Sequence, residues 1–275
     1  MRDHHRELCA GFDRAAGRYD GEAEANPAMA WMRRVSLRTL RAHFSPGQRV
    51  LELGCGTGEE AVALGRAGIR VLATDLSSEM LAVAEAKIAD AGLASVVQTR
   101  RLAASQIGVL VDELGEGVFD GAYSSFGALN GEPDLGTLGR GLAALIRPGG
   151  LLVASVMNRV YPFEVLWFLA HGRPREAVRR WGGSALAHVS PALPDRVWTW
   201  YWTPQAFTRA LPDFRFVSCQ ALPLLLPPPY AGHLWGRFPD LMRRLARWEV
   251  RLAGWGIFSG LGDHFMAVLE RTAEH

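Results

Sequence analysis

The feature that most constrains the fold of this chain is a glycine-rich turn between an apolar strand and a helix. The turn, Gly54 to Gly58, follows the apolar run at 49–53 and precedes a helical segment at 59–67. Glycine lets the backbone take left-handed dihedral angles and approach a ligand closely. The free N–H groups at the start of the next helix bind polar or anionic ligand groups. Such a turn predicts a parallel α/β sheet with a ligand at its carboxyl edge.

The alternation of strand and helix continues through the first half of the chain. Helix starts are marked by the capping residues Asn26 and Ser77, and the stops are marked by glycine or proline. Strands are predicted at 49–53, 70–74, 96–99, 118–124, 151–157, 214–222 and 263–270. We therefore predict an α/β fold: a Rossmann-like, mostly parallel seven-stranded sheet with helices on both faces and an antiparallel last strand.

The alternation lapses after residue 158, where we expect a helical and aromatic lid made of two insertions. Trp198, Trp200 and Trp202 alternate along a predicted strand and therefore share one face. We interpret that face as core, with an aromatic wall for a flat substrate as the alternative. The predicted units are a ligand-binding core with N-terminal helices (1–158), a lid insertion (159–202), a core continuation (203–220), a second lid insertion (221–262), and a closing strand with the tail (263–275).

Composition and charge exclude several classes of protein. The net charge of +2 argues against a nucleic-acid partner. The three cysteines form no CxxC pair, so a reduced, cytoplasmic compartment fits best. No apolar run is long enough to span a membrane, and the first residues lack the apolar segment of a secretory signal. The histidines show no metal-ligand spacing, so we expect no metal site, and we interpret His4 and His5 as a solvated chain end.

A second acidic position suggests which ligand the turn holds. Asp75 ends the second predicted strand, where a carboxylate can accept both hydroxyls of a ribose. A dinucleotide fingerprint requires a third glycine or alanine where this chain has Glu59. Glu59 and Glu60 would repel a pyrophosphate but tolerate a cationic ligand. The pattern therefore favours a sulfonium nucleoside over NAD.

Four sequence motifs of this chain resemble those of a known family. The segments VLELGCGTGEEA, VLATDLSSEML, FDGAYSSFGALN and IRPGGLLV are similar, in order and spacing, to the motifs of class I S-adenosylmethionine-dependent methyltransferases. The segment FDRAAGRYD at 12–20 resembles the entry segment of the small-molecule branch that includes quinone-biosynthesis methyltransferases. The resemblance covers 12–158 well and 203–270 loosely. It implies an enzyme with S-adenosyl-L-methionine as cofactor.

The resemblance also assigns residues to the cofactor. It implies that the Gly54–Gly58 backbone holds the methionine portion, that Glu52 contacts the ammonium and that Tyr19 closes over the carboxylate. The residues that it assigns to cofactor binding are Tyr19, Glu52, Gly54, Cys55, Gly56, Gly58, Asp75, Leu76, Met80, Leu102, Ala103 and Ser124. One departure from the family is that no acid follows the third strand, where RRLAASQ stands at 100–106.

The acceptor side is predicted less fully. We expect a small, apolar or aromatic methyl acceptor. The sequence assigns neither the acceptor atom (O, N or C), nor a catalytic group, nor an oligomeric state. The residues expected in the acceptor pocket are Phe126, Asn130, Tyr161, Trp200 and His233. Helix 239–253 is interpreted as a lid helix whose face of Leu241 and Trp248 packs inward, with weak contact to a membrane surface as the alternative.

Two other functions stay open at the level of sequence. An NAD(P)-dependent oxidoreductase would share the fold, although Glu59 and the lack of a Tyr-x-x-x-Lys pair argue against it. A nucleoside-binding module without catalysis would share the cofactor edge. Methyl transfer to a small metabolite remains the favoured function.

Overall fold

The computed structural model describes residues 2–189 and 193–273. Its helices are α1 (Arg2–Ala25), α2 (Pro27–His43), α3 (Glu59–Gly65), α4 (Ser78–Asp90), α5 (Val109–Leu114), α6 (Leu135–Leu145), α7 (Pro162–Ala170), α8 (Pro174–Ala177), α9 (Pro204–Arg209), α10 (His233–Arg237) and α11 (Pro239–Leu252). Its strands are β1 (Arg49–Leu53), β2 (Arg70–Asp75), β3 (Val97–Arg101), β4 (Phe119–Ser124), β5 (Ile146–Met157), β6 (Ser184–His188), β7 (Arg196–Trp200), β8 (Phe214–Leu222) and β9 (His264–Arg271).

Seven strands form one sheet in the order β3-β2-β1-β4-β5-β9-β8. The first five are parallel, and β9 runs antiparallel between β5 and β8. The predicted fold class is therefore confirmed, including its antiparallel last strand. The strand order reverses between β1 and β4, and ligands bind outside the carboxyl ends of the strands at such a point.

Two apolar clusters cover the two faces of the sheet. One contains residues of α5, α6 and α9, and the other contains residues of α2, α3 and α4. The helix starts follow the sequence signals: the Asn26 side chain accepts hydrogen bonds from the first N–H groups of α2, and Ser77 does the same for α4. Each Leu or Ile that is fully buried here stabilises the fold by about 1.5–3 kcal/mol.

Two arrangements that the sequence did not predict frame the carboxyl edge, although N-terminal helices and a strand at 196–202 were expected. Helix α1 packs across α4, and β6 pairs with β7 in a separate antiparallel hairpin. The hairpin shows that the tryptophan face is not uniformly core. Trp198 is 44% exposed, whereas Val197 and Thr199 on the opposite face are buried. Trp202 does pack against the core, so the prediction holds there and was wrong for Trp198.

Helix α11 turns the opposite face inward from the one predicted. Leu241 and Trp248 are 49% and 53% exposed, while Met242 and Glu249 are buried. The Glu249 carboxylate accepts hydrogen bonds from the backbone N–H groups of residues 224–226. Those N–H groups would otherwise be buried without partners, which is costly. Satisfying them sets the rotation of α11 and leaves its apolar stripe outside.

Candidate active site

A cavity of about 260 Å³ lies at the carboxyl ends of β1, β2 and β4. Its walls come from the glycine turn, from the segments after β2, β3 and β4, from α1 and from the β6–β7 hairpin. Among the described residues, those of the second insertion (221–262) contribute nothing to this wall. The residues that cover the cavity therefore come from α1 and the first insertion, while the division into units remains a prediction.

The glycine turn has the geometry that a close ligand requires. Gly54, Gly56 and Gly58 have φ angles of 69°, 53° and 78°, all in the left-handed region. A Cβ atom on Gly54 would lie 2.3 Å from Cβ of Ala128, and one on Gly58 would lie 2.8 Å from Cβ of Ala84. A Cβ on Gly56 would meet no protein atom within 4 Å. Gly54 and Gly58 are thus demanded by packing, and Gly56 keeps open the space that a ligand can use.

Asp75 lies at the end of β2 and faces the same cavity. Its two oxygens accept hydrogen bonds from the backbone N–H of Gly56 and of Ser77, each at 2.8 Å. Burial raises the pKa of this carboxyl, and the N–H donors oppose that rise. Each carboxylate oxygen has a second lone pair, so Asp75 can still accept two hydroxyl groups.

Glu52, the penultimate residue of β1, is a buried acid. It is 1% exposed, and its Oε2 has no hydrogen-bond partner among the described residues. Burial raises the pKa of this carboxyl well above its ordinary range, and the nearby Glu60 raises it further. A ligand cation close to the turn would offset both effects. Glu52 itself does not line the cavity, so direct contact with a ligand stays a prediction.

An arginine that the sequence analysis did not single out enters the cavity from α2. Arg33 donates a hydrogen bond to Glu60 at 3.1 Å, and its guanidinium lies 5.4 Å from the centre of the Phe126 ring. Glu59 is paired with Lys87. Both acids after the turn are therefore neutralised by a partner, and the argument that they repel a pyrophosphate as free charges was wrong. Arg33 provides a cationic group for a ligand carboxylate.

Helix α1 closes the cavity through polar contacts with the cofactor-side loops. Asp13 accepts a hydrogen bond from Ser77 Oγ at 2.5 Å, and Asp20 accepts one from Thr57 Oγ1 at 2.6 Å. These contacts place Tyr19 in the cavity wall, and its closure over a methionine carboxylate stays a prediction. They also bring Phe12 and Cys9 into the wall, which the sequence analysis did not foresee.

Most of the predicted cofactor residues meet in this one cavity. The predicted cofactor residues that line it are Tyr19, Gly54, Cys55, Gly56, Asp75, Leu76, Met80, Leu102 and Ala103. Glu52, Gly58 and Ser124 are not in the wall, and the hydroxyl of Ser124 is used by the carbonyl of Leu53. Ser125, one residue later, lines the cavity instead.

The predicted acceptor residues are divided. Phe126 and Asn130 line the cavity, and Phe126 has a left-handed φ of 53°, a strained conformation for a residue with a side chain. Tyr161, Trp200 and His233 lie outside the described wall of the cavity. Tyr161 packs under a buried arginine, Trp200 contacts His4, and His233 contacts Trp167.

The two N-terminal histidines are not a solvated chain end. His4 Nε2 lies 2.7 Å from the carbonyl oxygen of Gly131, and its ring meets the Trp200 ring edge-on. His5 Nε2 lies 3.4 Å from Oε2 of Glu132, a buried acid in the cavity wall. These contacts join parts of the chain 127 residues apart, so no local pattern could have revealed them. Across 2–189 and 193–273, no three His, Cys, Asp or Glu residues are arranged to hold a metal ion.

Comparisons with known proteins agree with this geometry. Residues 50–150 match the family profile of the methyltransferase domain. The chain is 32% identical over 145 residues to a ubiquinone biosynthesis O-methyltransferase of Xanthomonas axonopodis pv. citri, covering 51% of this chain and 56% of that protein. It is 32% identical over 166 residues to a demethylmenaquinone methyltransferase of Beutenbergia cavernae, covering 58% of this chain and 63% of that protein. The matched region thus spans little more than half of these relatives.

A solved structure resembles the whole fold. It is the 1,6-didemethyltoxoflavin-N1-methyltransferase of Burkholderia thailandensis with bound 1,6-didemethyltoxoflavin and S-adenosylhomocysteine. The TM-score is 0.59 at 20% identity, with 99% of this chain and 90% of that chain covered. Together, the domain profile and the named relatives confirm the resemblance drawn from the sequence motifs.

Proposed function

We propose that this chain, whose core is a class I S-adenosylmethionine-dependent methyltransferase domain, transfers a methyl group from that cofactor to a small-molecule acceptor. The observation that carries the proposal is one cavity in which the glycine turn, Asp75 and Arg33 face the segment after β4. The glycine turn, Asp75 and Arg33 suit a sulfonium nucleoside with a carboxylate, and the segment after β4 leaves room for an acceptor beside it.

The residues of the cofactor edge fit S-adenosylmethionine group by group. Asp75 would accept the ribose hydroxyls, and Arg33 would pair with the methionine carboxylate. Leu76, Leu102 and Ala103 offer an apolar slot for adenine. Glu52, whose Oε2 has no partner among the described residues, would gain a cation in its neighbourhood. The RRLAASQ segment has no acid beside the adenine slot, so Gln106 or a backbone carbonyl would accept the hydrogen bond of the adenine amine.

The chemistry required of the protein is mainly alignment. When bound, the cofactor supplies an electrophilic methyl group and a neutral leaving group. Helix α1 and the β6–β7 hairpin would limit the access of water to the cavity, and Ala128 packs the segment after β4 against Gly54. Alignment of two reactants in this way contributes about 7–11 kcal/mol to lowering a barrier.

Isothermal titration with two ligands tests the cofactor assignment. We expect S-adenosylhomocysteine to bind and NADH not to bind. Asp75→Ala should weaken the binding of S-adenosylhomocysteine about tenfold or more, because two hydrogen bonds to a charged group are lost. Asp90→Ala, at the exposed end of α4, is the matched control and should leave the affinity unchanged. NADH binding without S-adenosylhomocysteine binding would support the oxidoreductase alternative.

A second assay separates an enzyme from a binding module. The protein is incubated with methyl-labelled S-adenosylmethionine and metabolite extracts, and products are separated by mass. We expect a labelled small molecule whose formation requires Asp75. Tight cofactor binding with no labelled product in any extract would favour the module.

We also propose that α11 contacts an anionic membrane surface, from which an apolar acceptor could be taken. None of the described helices has the length and apolar character to cross a bilayer. The exposed stripe of Leu241, Trp248 and Trp255 lies among arginines, and the Arg251 guanidinium stacks on the Trp248 ring. Apolar and aromatic groups beside arginine suit the interface of an anionic bilayer.

Vesicle sedimentation tests this contact. Binding to vesicles of phosphatidylglycerol and phosphatidylcholine should exceed binding to phosphatidylcholine alone, and should fall with added salt. Trp248→Ser should reduce it, whereas Trp181→Ser, an exposed tryptophan of the first insertion, should not. Equal binding to both vesicle types would refute the contact. The cytoplasmic location expected from the cysteines stays a prediction.

A further inference from the structure

A buried carboxylate in the cavity wall has no part in the cofactor assignment. Glu132 follows the short 3₁₀ turn Ala128–Gly131 and is 4% exposed. It lines the cavity, and its Oε2 has no hydrogen-bond partner among the described residues. Burial of an unpaired carboxylate oxygen destabilises a protein. Apart from His5 Nε2 at 3.4 Å, which makes no aligned hydrogen bond to it, this oxygen has no polar partner among the described residues and can accept a hydrogen bond from a ligand.

Four other polar side chains of this wall, Asn130, Ser125, Thr199 and His188, already have partners. The Asn130 amide donates to the carbonyls of Met157 and Trp200 and accepts from the Met157 N–H. Ser125 pairs with a serine of α2, and Thr199 Oγ1 donates to a carbonyl of its own strand. Both ring nitrogens of His188 contact other groups. Asn130 therefore clamps the backbone, and Glu132 is the acid on this side that is free to meet an acceptor.

His5 approaches Glu132 from the side of α1. Its Nε2 is 3.4 Å from Oε2 of Glu132, and neither atom has an aligned hydrogen bond. The approach is fixed, because the neighbouring His4 contacts the carbonyl of Gly131. The His5 side chain is 14% exposed, while its Nε2 atom, which faces the carboxylate, is buried.

We propose that Glu132 binds the methyl acceptor through the hydrogen of a nucleophilic O–H or N–H group and takes that proton during transfer, with His5 positioning the carboxylate. The proposal rests on the proposed methyltransferase function. The acceptor oxygen or nitrogen forms a bond to the methyl carbon, and the carbon–sulfur bond breaks with its electron pair going to sulfur. The acceptor proton moves to a carboxylate oxygen of Glu132 and leaves by way of solvent.

The proposal specifies the acceptor class. A hydroxyl or an amine with at least one hydrogen satisfies the buried carboxylate, whereas a thioether or a tertiary amine does not. An ether of the same shape leaves Glu132 unpaired and should bind about 10- to 100-fold more weakly, which corresponds to the loss of one hydrogen bond to a charged group.

The test uses methyl-labelled S-adenosylmethionine and a fixed panel of acceptors. Catechol, 4-hydroxybenzoate and benzylamine carry the required hydrogen, while thioanisole and N,N-dimethylbenzylamine do not. We expect transfer to members of the first set. Glu132→Gln should lower kcat for them by about 10²- to 10⁴-fold, the usual contribution of a general base. Its affinity for S-adenosylhomocysteine should stay within twofold of wild type.

Two further variants give the test its controls. Glu116→Gln removes an exposed carboxylate outside the cavity wall and should keep wild-type activity. His5→Gln should lower kcat less than Glu132→Gln does, again with unchanged affinity for S-adenosylhomocysteine. A Glu132→Gln enzyme as fast as wild type, or wild-type transfer only to the second set, would overturn the proposal and leave the methyltransferase function standing.

A binding arm decides the case in which wild type methylates nothing in the panel. That result would count against the proposed function itself. Catechol and 1,2-dimethoxybenzene are then titrated into the protein loaded with S-adenosylhomocysteine. Preference for catechol that disappears in Glu132→Gln supports the role of Glu132, and equal or absent binding of the two overturns it.

Discussion

Replacing Arg180 by glutamine is expected to destabilise the fold by about 3–5 kcal/mol, because it breaks a buried ion-pair network. The Arg180 side chain is 4% exposed and bridges two acids, Glu164 and Asp263. It donates to both oxygens of Glu164, to Oδ1 of Asp263 and to the carbonyls of Asn158 and Asp263. The network ties the first insertion to the start of β9. Its removal would leave two buried carboxylates short of donors.

Arg179 supplies the matched control for this prediction. It also pairs with Glu164, at 3.0 Å, but its side chain is 29% exposed. A partly exposed pair contributes about 0–1 kcal/mol, so Arg179→Gln should cost little. Urea unfolding at pH 7, extrapolated linearly to water, measures both variants. A difference below about 1 kcal/mol between Arg180→Gln and Arg179→Gln would show that the network does not stabilise the fold.

The same experiment has a pH dependence with a definite sign. Although burial alone would raise the pKa of Asp263, the Arg180 and His264 charges hold it far below its ordinary value. Its contribution to stability is therefore present above the unfolded-state pKa, near 3.9, and is lost only in stronger acid. In Arg180→Gln the burial effect is no longer opposed by Arg180, so protonation relieves the variant. The difference in unfolding free energy between wild type and Arg180→Gln should narrow from pH 7 to pH 4, and a constant difference would contradict this reasoning.

Two further predictions concern the cofactor edge. Gly56→Ala should destabilise the fold by about 1 kcal/mol because of the left-handed φ at this position, and should abolish the binding of S-adenosylhomocysteine in a titration. Gly54→Ala should unfold at a lower urea concentration than wild type, because its Cβ would clash with Ala128. Retained binding in Gly56→Ala would mean that the cofactor lies elsewhere. Arg33→Gln should weaken the binding of S-adenosylhomocysteine about tenfold, but should hardly change the binding of decarboxylated S-adenosylmethionine. If the affinity for both ligands falls equally, Arg33 does not bind the carboxylate.

The core was predictable because its signals are local. The glycine turn and Asp75 are only 19 residues apart at their hydrogen bond, and the caps at Asn26 and Ser77 act within one helical turn. The bounds of β1 and β8 agree with the predicted ranges. Alternation of short apolar runs with capped helices leaves few topologies for a parallel sheet.

What the sequence did not reveal depends on contacts between distant segments. His5 and Glu132 meet only because α1 folds back over the segment after β4. Arg33 reaches Glu60 from α2, 27 residues earlier in the chain. Hydropathy also misled at α11, where the apolar face is outside because the Glu249 carboxylate must satisfy buried N–H groups. Period and propensity describe each helix alone, whereas rotation is set by what it packs against.

The two sides of the cavity therefore differ in how the sequence encodes them. The cofactor side is built from consecutive strand ends, so any chain that forms this sheet brings those groups together. The opposite side of the cavity is assembled from α1, the segment after β4 and the β6–β7 hairpin, which are far apart in sequence. Arg14 of α1 pairs with Asp195 before β7, so even these covering segments are joined to one another across 181 residues. Under the proposed function, the packing of α1 against the hairpin would set the choice of acceptor, and Glu132 lies in the same cavity wall.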